Sequence, residues 1–299
     1  MDFTLFSITQ GTRLLERLAF PVNSVVRSHS PEAVHDLRVA VRRLTQALTV
    51  GKACFPSRTV KKVRRRLRTA MTLAGAVRDC DIALKLVARS RAEDAAETEV
   101  KLRSRRNGAR KVLVASLRQW TSRNFLSKWR QALGAEAPPT GSKLVTAEDV
   151  ARRKLPGLAV AFFREGRRAA SQDASTEQLH ELRLAAKKLR YTLELFAEFY
   201  GPAADDWVVQ LRTAQSLLGG INDCVVTRRL VEEAGGSATM VAALKRRQRR
   251  KTSEFRKAWD KDIGSAEAVK TWVHAMRHPP RKPMVQAAAP GRHDLAQHA

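Results

Sequence analysis

Two stretches of this sequence repeat one order of histidine, acid, leucine and arginine, 145 residues apart. The first reads VHDLRVAVRRLTQAL at 34–48, and the second reads LHELRLAAKKLRYTLELF at 179–196. A second pair follows in the same order, LRTAMTLAGAVRDCD at 67–81 and LRTAQSLLGGINDCV at 211–225, with an offset of 144. A weaker third pair is SRRNGARK and LKRRQRRK. Solenoid repeats are only about 20–50 residues long, so this spacing predicts one internal duplication.

The spacing of apolar residues predicts helices in both halves. Apolar residues recur at steps of three and four almost throughout, and β-branched alternation is scarce. We therefore expect an all-α protein made of two pseudo-symmetric helical bundles, about four helices each, packed face to face. The predicted helices lie near 6–28, 32–50, 57–77, 80–130, 146–170, 175–200, 203–220 and 222–275.

Proline and glycine divide the chain near its centre. The segment GAEAPPTGS contains two of each in nine residues. We therefore expect a domain over 1–277, with a first half at 1–133, a linker at 134–145 and a second half at 146–277. The remainder, 278–299, contains four prolines and little periodicity, which predicts a disordered tail.

Local signals indicate where the motif helices begin. Ser30 followed by Pro31 is a typical helix start, with serine as the cap and proline at the first helical position. In the second half, Ser175 or Thr176 can serve as the cap. Breaks within the longest helices are expected at Asn107-Gly108 and Gly235-Gly236.

The charge balance restricts the partners of the chain. It carries 56 Lys and Arg against 29 Asp and Glu, a formal net charge of +27. Such a charge indicates a polyanionic partner: DNA, RNA, an anionic membrane surface or a phosphate polymer. The three cysteines form no Cys-x-x-Cys pair, which disfavours a disulfide scaffold or zinc ribbon and fits a reducing compartment. With no signal-peptide pattern and no apolar run of membrane-spanning length, we expect a cytoplasmic protein without membrane insertion.

The second motif has two distinct faces when it is wound into a helix. His180, Arg183, Lys187 and Arg190 fall on one stripe at about 100° per residue. An apolar stripe lies roughly 110° away. Its members are Leu182, Ala186, Leu189 and Leu193.

The first motif repeats these faces with one departure. His35, Arg38 and Arg42 form the basic stripe, but Thr45 stands where a fourth basic residue would fall. An ordinary solvated helix face is the simplest interpretation of either stripe. However, solvated faces usually mix both signs because acid–base pairs support a helix. A stripe of one sign that occurs twice favours a bound anion.

Further basic runs lie inside the halves. They are RTVKKVRRRLR at 58–68, KLRSRRNGARK at 101–111 and KRRQRRK at 245–251. Their helical periodicity predicts basic faces of folded helices, although like-charge blocks are often disordered. The counterpart of 58–68 in the second half, DDWVVQLRT, is nearly neutral. We therefore expect the two halves to carry unequal shares of any anion.

The two histidines leave three interpretations open. His35 and His180 could be metal ligands, core histidines hydrogen-bonded between helices, or phosphate-binding groups. The metal interpretation is the weakest, since no second histidine follows four residues later and the neighbouring arginines repel a cation.

Two acids and two cysteines occupy equivalent positions in the halves. Asp79 and Asp223 follow glycines that we expect to end helices, so each is interpreted as a helix cap or as a partner of a stripe arginine. A catalytic role for either is disfavoured. Cys80 and Cys224 are interpreted as small buried side chains.

The motifs HDLRVAVRRL and HELRLAAKKLRYTLELF together resemble those of the CHAD family, the conserved histidine α-helical domain. LAGAVRDCD and LLGGINDC resemble the second signature of that family, in its two copies. The resemblance covers about 1–277. It implies an all-α fold of two pseudo-symmetric helical bundles around a basic cavity or groove. Some members of the family are fused to a triphosphate-tunnel hydrolase, a domain not found here.

The resemblance also implies binding of inorganic polyphosphate, often at polyphosphate granules, and Thr45 departs from the usual arginine of the first motif. No metal-binding carboxylate cluster and no Gly-Lys-Ser/Thr loop is evident, so we expect no catalysis and no cofactor. The expected partners are polyphosphate and granule-associated proteins, and non-specific nucleic-acid binding by a nucleoid-type protein is the alternative. The candidate polyphosphate-binding residues are His35, Arg38, Arg42, Arg43, Lys61, Lys62, Arg64, Arg65, Arg68, Arg105, Arg106, Arg110, His180, Arg183, Lys187, Lys188, Arg190, Arg212, Lys245, Arg246, Arg249 and Arg250.

Overall fold

The structure is a computed structural model that describes residues 1–90, 92–134 and 145–279. Within those ranges it is all-α, as predicted, with one isolated β-bridge between Asp2 and Thr146. The predicted linker and tail lie almost wholly outside the described residues. The first five helices are α1 Phe3–Arg27, α2 Pro31–Val50, α3 Ser57–Ala88, α4 Ala95–Ser122 and α5 Phe125–Gly134. The next five are α6 Ala147–Ala170, α7 Thr176–Phe196, α8 Pro202–Glu233, α9 Ala238–Ala258 and α10 Ala266–Arg277.

The predicted starts of both motif helices are confirmed. The Ser30 hydroxyl accepts a hydrogen bond from the Glu32 amide at 3.1 Å, and Pro31 is the first residue of α2. In α7, Ser175 is the cap, and it exchanges side-chain and backbone hydrogen bonds with Gln178 in a capping box. Each cap satisfies amide groups that have no partner within the helix.

Three predicted interruptions are wrong because helices continue through them. α3 runs without a break past residues 77–80, α8 continues through Gly219-Gly220, and α4 continues through Asn107-Gly108. A glycine inside a helix costs only about 1 kcal/mol relative to alanine. Burial of apolar side chains beyond the predicted break in α3, such as Ala83 and Val87, outweighs that cost.

The chain turns at other positions, so the described part of each half contains five α-helices instead of about four. The predicted helix over 80–130 is divided among α3, α4 and α5, and Asn124 adopts a positive φ of 50° between the last two. The predicted break at Gly235-Gly236 is confirmed. α8 ends at Glu233, and Gly235 has a φ of 75°, which glycine adopts without the steric cost of a Cβ atom.

Two large hydrophobic cores lie in the two halves, and a small third core joins them. The first is built from α1–α5 and the second mainly from α6–α10. The third lies where the end of α3 and the start of α4 meet the end of α8 and the start of α9. Its buried members are Ala83, Val87, Leu102, Leu230, Val231, Met240 and Leu244.

The start of α1 also connects the halves. Phe6 belongs to the core of the second half, where its ring stacks on Phe196 with centroids 5.4 Å apart. The Phe3 amide donates a hydrogen bond to the Val145 carbonyl at 3.0 Å. Together with the packing of α2 on α7 and of α3 on α8, these contacts place the motif helices of both halves at one central interface.

A close contact between α6 and Trp259 makes Gly166 sensitive to substitution. A Cβ atom at Gly166 would lie 1.7 Å from the Trp259 ring, which is buried among Phe162, Phe163 and Phe255. We expect Gly166→Ala to destabilise the protein by about 1–3 kcal/mol or more through overpacking. Gly157→Ala on the same helix meets no atom within 4 Å and is the control; it should stabilise by up to about 1 kcal/mol. Urea unfolding of both variants measures the difference, and equal stabilities would contradict the packing.

Candidate functional site

The two motif helices cross at the centre of the molecule. Gln46 of α2 donates a hydrogen bond to the Thr192 hydroxyl of α7 at 2.8 Å. Arg43 of α2 forms an ion pair with Glu194 of α7 at 3.0 Å. Polar contacts between residues about 150 positions apart in sequence therefore set how the two helices face each other.

Five cations lie together at this crossing and are called the central cluster. They are Arg38 and Arg42 of α2 and Arg183, Lys187 and Arg190 of α7. All five side chains are half-buried. The apolar stripes of the same helices are fully buried, as predicted from the sequence. The basic stripes are therefore directed toward each other instead of into bulk solvent.

The cations of the central cluster have few partners. The Arg38 guanidinium donates to the Met71 carbonyl at 3.2 Å, and Arg42 donates to the Arg38 carbonyl of its own helix at 3.0 Å. Arg183 and Arg190 each have a buried Nε group without a hydrogen-bond acceptor. Among the described residues, only Arg190 of the five has a carboxylate within 4 Å, that of Glu194 at 3.6 Å.

Burial and mutual repulsion lower the pKa values of these groups. Burial, followed by the charges of Arg183, Arg42, Arg38 and Arg190, lowers the pKa of Lys187 to about 7. Burial and the neighbouring Arg42 likewise lower the pKa of Arg38 to about 10. Burial also lowers the pKa of Arg42 and of Arg183. The folded protein therefore holds positive charge in a place where water alone does not stabilise it, and a bound anion would.

Two carboxylates lie beside the central cluster. Asp79 and Asp223 lie inside α3 and α8, so their interpretation as helix caps is wrong. Each interacts electrostatically with Arg183, and Asp79 also interacts with Arg38. Burial nevertheless raises the pKa of both carboxyl groups. Two acids near five cations leave an excess of positive charge.

A cavity of about 460 Å³ opens on one side of the central cluster. Arg42 and Lys187 line it together with Arg64 and Arg68 of α3. The other lining residues are Val41, Thr45, Gln46, Leu67, Met71, Leu184, Lys188 and Tyr191. The cavity therefore brings three elements of the predicted site together: both motif helices and the basic run 58–68.

A second cavity of about 280 Å³ lies on the other side of Tyr191, which borders both. It contains Arg43 and Arg212, two predicted site residues, and also Arg13 and Arg17 of α1, which the sequence analysis missed. Glu194 and Asp205 line the same cavity. Arg13 and Arg17 precede the first motif and have no counterpart in the repeat, so only their four-residue spacing on a helix was available as a signal.

Other predicted residues lie on exposed helix faces away from the central cluster. On α3, Lys62 lies about 160° around the helix from Arg64, which lines the first cavity. On α9, every candidate is exposed. These α9 residues are Lys245, Arg246, Arg249 and Arg250. Lys61 and Arg65 of α3 are exposed and do not line the first cavity, although Lys61 lies on the same face of the helix as Arg64 and Arg68.

The three candidates of α4 make contacts of another kind. Arg106 forms an ion pair with the buried Asp81, and it also donates to the His29 carbonyl at 3.1 Å. Arg110 donates to the carbonyls at the end of α1, including that of Ser28 at 2.8 Å. Arg105 forms an ion pair with Glu233 at the end of α8. A binding role for these arginines stays a prediction, and their contacts connect helices.

The sequence pattern of the CHAD domain matches residues 10–232, three quarters of the chain. The chain belongs to the CHAD family. Two proteins of Mycobacterium tuberculosis, Uncharacterized protein MT2285 and Uncharacterized protein Rv2226, are each 29% identical to this CHAD protein over 228 residues. That match covers 70% of the chain but only 42% of each relative, so the chain spans less than half the length of these relatives.

Two solved structures share the fold of this CHAD domain. The CHAD domain from the plant Ricinus communis is 23% identical, with a TM-score of 0.69 and 94% of each chain covered. PptA from Streptomyces chartreusis is 15% identical, with a TM-score of 0.59 and coverage of 92% of this chain and 99% of PptA. At these identities the likeness shows the fold alone.

The histidines of the CHAD motifs are exposed. His35 and His180 both lie at the surface, so the interpretation of a core histidine hydrogen-bonded between helices is wrong. Partial desolvation, followed by the charges of Arg78 and Arg42, lowers the pKa of His35. His180 instead borders a separate cavity of about 340 Å³ that contains Asn222. Asn222 is the residue of the second half at the position equivalent to Arg78 in the first half.

Cys80 and Cys224, the equivalent cysteines of the two halves, are buried free thiols, as predicted. Among the described residues, no cluster of three or more His, Cys, Asp or Glu side chains could hold a metal ion. No described helix has both the length and the apolar character needed to cross a membrane.

Proposed function

We propose that this CHAD domain binds inorganic polyphosphate without catalysis, at the central cluster and the cavity beside it. The observation that carries the proposal is the set of half-buried cations, Arg38, Arg42, Arg183 and Lys187, that have no carboxylate within 4 Å among the described residues. Holding such charges together costs free energy unless an anion neutralises them. A phosphate chain supplies one negative charge per unit, spaced along a flexible backbone.

The chemistry of the cavity fits a phosphate polymer better than a nucleic acid. Guanidinium groups bind phosphate oxygens through two parallel hydrogen bonds, and Arg42, Arg64 and Arg68 line one wall. Single-stranded nucleic acids are usually bound with aromatic rings on which bases stack. Tyr191 is the one aromatic residue among those that line the cavity, and its side chain is buried.

A second candidate function is non-specific binding of nucleic acid. The exposed basic face of α9 favours it, because a surface of this kind attracts any polyanion. Its residues are Lys245, Arg246, Arg249 and Arg250. We assign polyphosphate to the central cluster and treat α9 as a secondary surface. Cytoplasmic polyphosphate granules and their associated proteins are the setting that we propose for this function.

Competition between anions tests the proposal directly. A labelled long-chain polyphosphate is displaced by unlabelled polyphosphate, duplex DNA or RNA at matched phosphate concentration and physiological salt. We expect polyphosphate to be the strongest competitor and to be recovered with its chain length unchanged. If duplex DNA displaces the label more effectively, the nucleic-acid function replaces the proposed one. Release of phosphate over time would contradict the absence of catalysis.

Binding should weaken steeply with salt, and the slope should depend on the cavity. Each phosphate contact releases condensed counterions, so the slope of log affinity against log salt grows with the number of contacts. We expect Arg64→Gln with Arg68→Gln to reduce that slope because both residues line the cavity. Lys62→Gln, on the opposite face of α3, is the control. Equal slopes for the double variant and the wild-type protein would place the polymer elsewhere.

Binding should also weaken as pH rises above 7. The free protein releases the Lys187 proton with a pKa of about 7, whereas a bound anion favours the ammonium form. Binding above pH 7 should therefore take up a fraction of one proton, measured by calorimetry in buffers of different ionisation enthalpy. Lys187→Arg should abolish this uptake.

The free energy of unfolding changes with pH in the opposite direction. Between pH 7 and 10.5 the Lys187 side chain binds more protons in the unfolded chain than in the folded protein. The contribution of Lys187 to stability therefore rises with pH.

A further inference from the structure

Lys187 is the single amine of the central cluster. It lines the cavity of about 460 Å³ beside Arg42, and its own helix places Arg183 one turn before it. No carboxylate within 4 Å and no hydrogen-bond acceptor holds the Lys187 amine among the described residues. Guanidinium groups therefore surround a nucleophilic nitrogen in a space large enough for a small molecule.

We propose that Lys187 is a modification site that is acylated by acyl phosphates, small mixed anhydrides of a carboxylic acid and phosphoric acid. The phosphate group of the reagent would bind to Arg42 and Arg64, which line the same cavity as Lys187, and bring its carbonyl carbon to the amine. This inference rests on the proposed anion-binding function, because it uses the same guanidinium groups to hold phosphate.

The reaction needs no further reagent. The neutral Lys187 amine attacks the carbonyl carbon, and the bond from that carbon to the bridging phosphate oxygen breaks. Inorganic phosphate leaves with the electron pair of this bond, and the nitrogen loses its proton to phosphate or water. An amide is formed and nothing is oxidised or reduced. The neighbouring guanidinium groups stabilise the charge that develops on the leaving phosphate.

The protonation state of Lys187 supports this chemistry. An amine reacts only in its neutral form. With a pKa of about 7, most Lys187 side chains are neutral at pH 7.5. An ordinary lysine with a pKa near 10.4 is neutral in about 0.1% of molecules at that pH. The larger neutral fraction outweighs the lower nucleophilicity that accompanies a lower pKa.

The titratable groups around Lys187 come from four helices, and most are cations. Asp223 favours the ammonium form of Lys187, but burial and the cations prevail and lower its pKa. The groups are Arg38 and Arg42 of α2, Arg64, Arg68 and Asp79 of α3, Arg183, Lys188, Arg190 and Tyr191 of α7, and Asp223 of α8. α6 contributes Arg164, Glu165 and Arg168 to a different cavity, on the Lys188 side of α7.

Acylation would regulate the proposed binding site. An acyl group prevents Lys187 from taking up the proton that a bound anion favours, and it occupies part of the cavity where the polymer would lie. The modified protein should therefore bind polyphosphate more weakly, and a bound polymer should protect Lys187 from the reagent. Through this residue, the supply of activated acyl groups would control how much polyphosphate the protein holds.

Acetyl phosphate is the probe that tests the inference. The wild-type protein is treated with it at pH 7.5, and the rate of acetylation at each lysine is measured by peptide mass spectrometry. Lys154 is an internal reference, because it is an exposed lysine of α6 that does not line the cavity. We expect Lys187 to react at least tenfold faster than Lys154, and added polyphosphate should remove that difference.

Two comparisons show whether the phosphate group directs the reaction. Acetic anhydride has no phosphate, so its preference for Lys187 over Lys154 should be smaller than that of acetyl phosphate. Arg42→Gln should reduce the preference with acetyl phosphate more than with acetic anhydride. An equal preference with both reagents would overturn the directed mechanism, and a rate at Lys187 no higher than at Lys154 would overturn the modification site.

Failure of this inference can be distinguished from failure of the proposed function. Polyphosphate affinity is measured on the unmodified wild-type protein and on Lys187→Arg, which keeps a cation but has no acylatable amine. If both bind polyphosphate and Lys187 is not acetylated selectively, only the modification site is wrong. If neither binds polyphosphate, the proposed function is wrong, whatever the pattern of acetylation.

Discussion

The double variant Arg183→Glu with Lys187→Glu should lose polyphosphate affinity by at least about 100-fold while it remains folded. A hydrogen bond to a charged group contributes about 1.5–3 kcal/mol, so the loss of two such contacts alone accounts for that factor. Two new carboxylates in a confined site add repulsion toward phosphate. In the free protein, the same carboxylates relieve the repulsion among Arg38, Arg42 and Arg190, so the melting temperature should not fall.

Leu189→Ala is the matched control on the same helix. Leu189 is fully buried on the apolar stripe, and its truncation should cost about 2–5 kcal/mol of stability. The remaining folded protein should bind polyphosphate with unchanged affinity. Melting temperature and affinity measured on both variants separate the two faces of α7. A charge reversal that unfolds the protein and leaves affinity per folded molecule unchanged would show that the basic stripe is structural.

Arg106→Ala should have the opposite effect to the charge reversal: a large loss of stability and little loss of affinity. The side chains of Arg106 and Asp81 are 13% and 3% exposed, and Arg106 also holds the His29 carbonyl between α1 and α2. Removing one member of a buried ion pair leaves the other unpaired and costs about 3–5 kcal/mol. The second carboxylate oxygen of Asp81 already has no hydrogen-bond partner, so nothing replaces Arg106.

The adjacent Arg105 provides the control for this prediction. Its ion pair with Glu233 is exposed, with side chains 51% and 42% accessible, and such pairs contribute about 0–1 kcal/mol. Arg105→Ala should therefore leave the urea midpoint almost unchanged, whereas Arg106→Ala should lower it clearly. If Arg106→Ala instead keeps full stability and loses affinity, Arg106 belongs to the binding site, as the sequence alone suggested.

The sequence predicted the central part of the site because the signal lies within single helices. Apolar and basic residues alternate with the helical period in both motifs, so the two faces of α2 and α7 follow from the spacing of Arg38, Arg42, Arg183 and Lys187. The repetition of a stripe of one sign favoured a bound anion. The unequal contribution of the halves was also visible, since Arg64 and Arg68 have no basic counterparts as a pair in the second half.

The sequence did not separate arginines that line the cavity from arginines that pair within a half. The runs at 58–68 and 101–111 look alike in composition, yet Arg64 lines the cavity and Arg106 pairs with Asp81 inside the first half. Both placements depend on which residues of other helices approach them. Local composition does not contain that information, because Asp81 lies 25 positions from Arg106 and the α7 residues of the cavity lie more than 100 positions from Arg64.

The helix boundaries likewise divide into those that the local sequence predicts and those that depend on tertiary packing. The capping residues Ser30 and Ser175 act through their nearest neighbours, so the sequence located both starts correctly. Glycines inside α3 and α8 were taken as ends, because their local cost is visible in the sequence. The burial that offsets this cost, where α3 packs on α8, is a property of the folded molecule.

By itself, the sequence determined the helical class, the two-faced motif helices and the excess of positive charge, since each depends on residue type and on spacing within a few turns. The tertiary structure alone decided which charges meet. Lys187 has a pKa of about 7 because it is half-buried and because Arg183 of its own helix and Arg42 and Arg38, about 145 positions earlier, lie near it. Electrostatic energy depends on distance and on exclusion of water, and both are set only when α2 packs on α7.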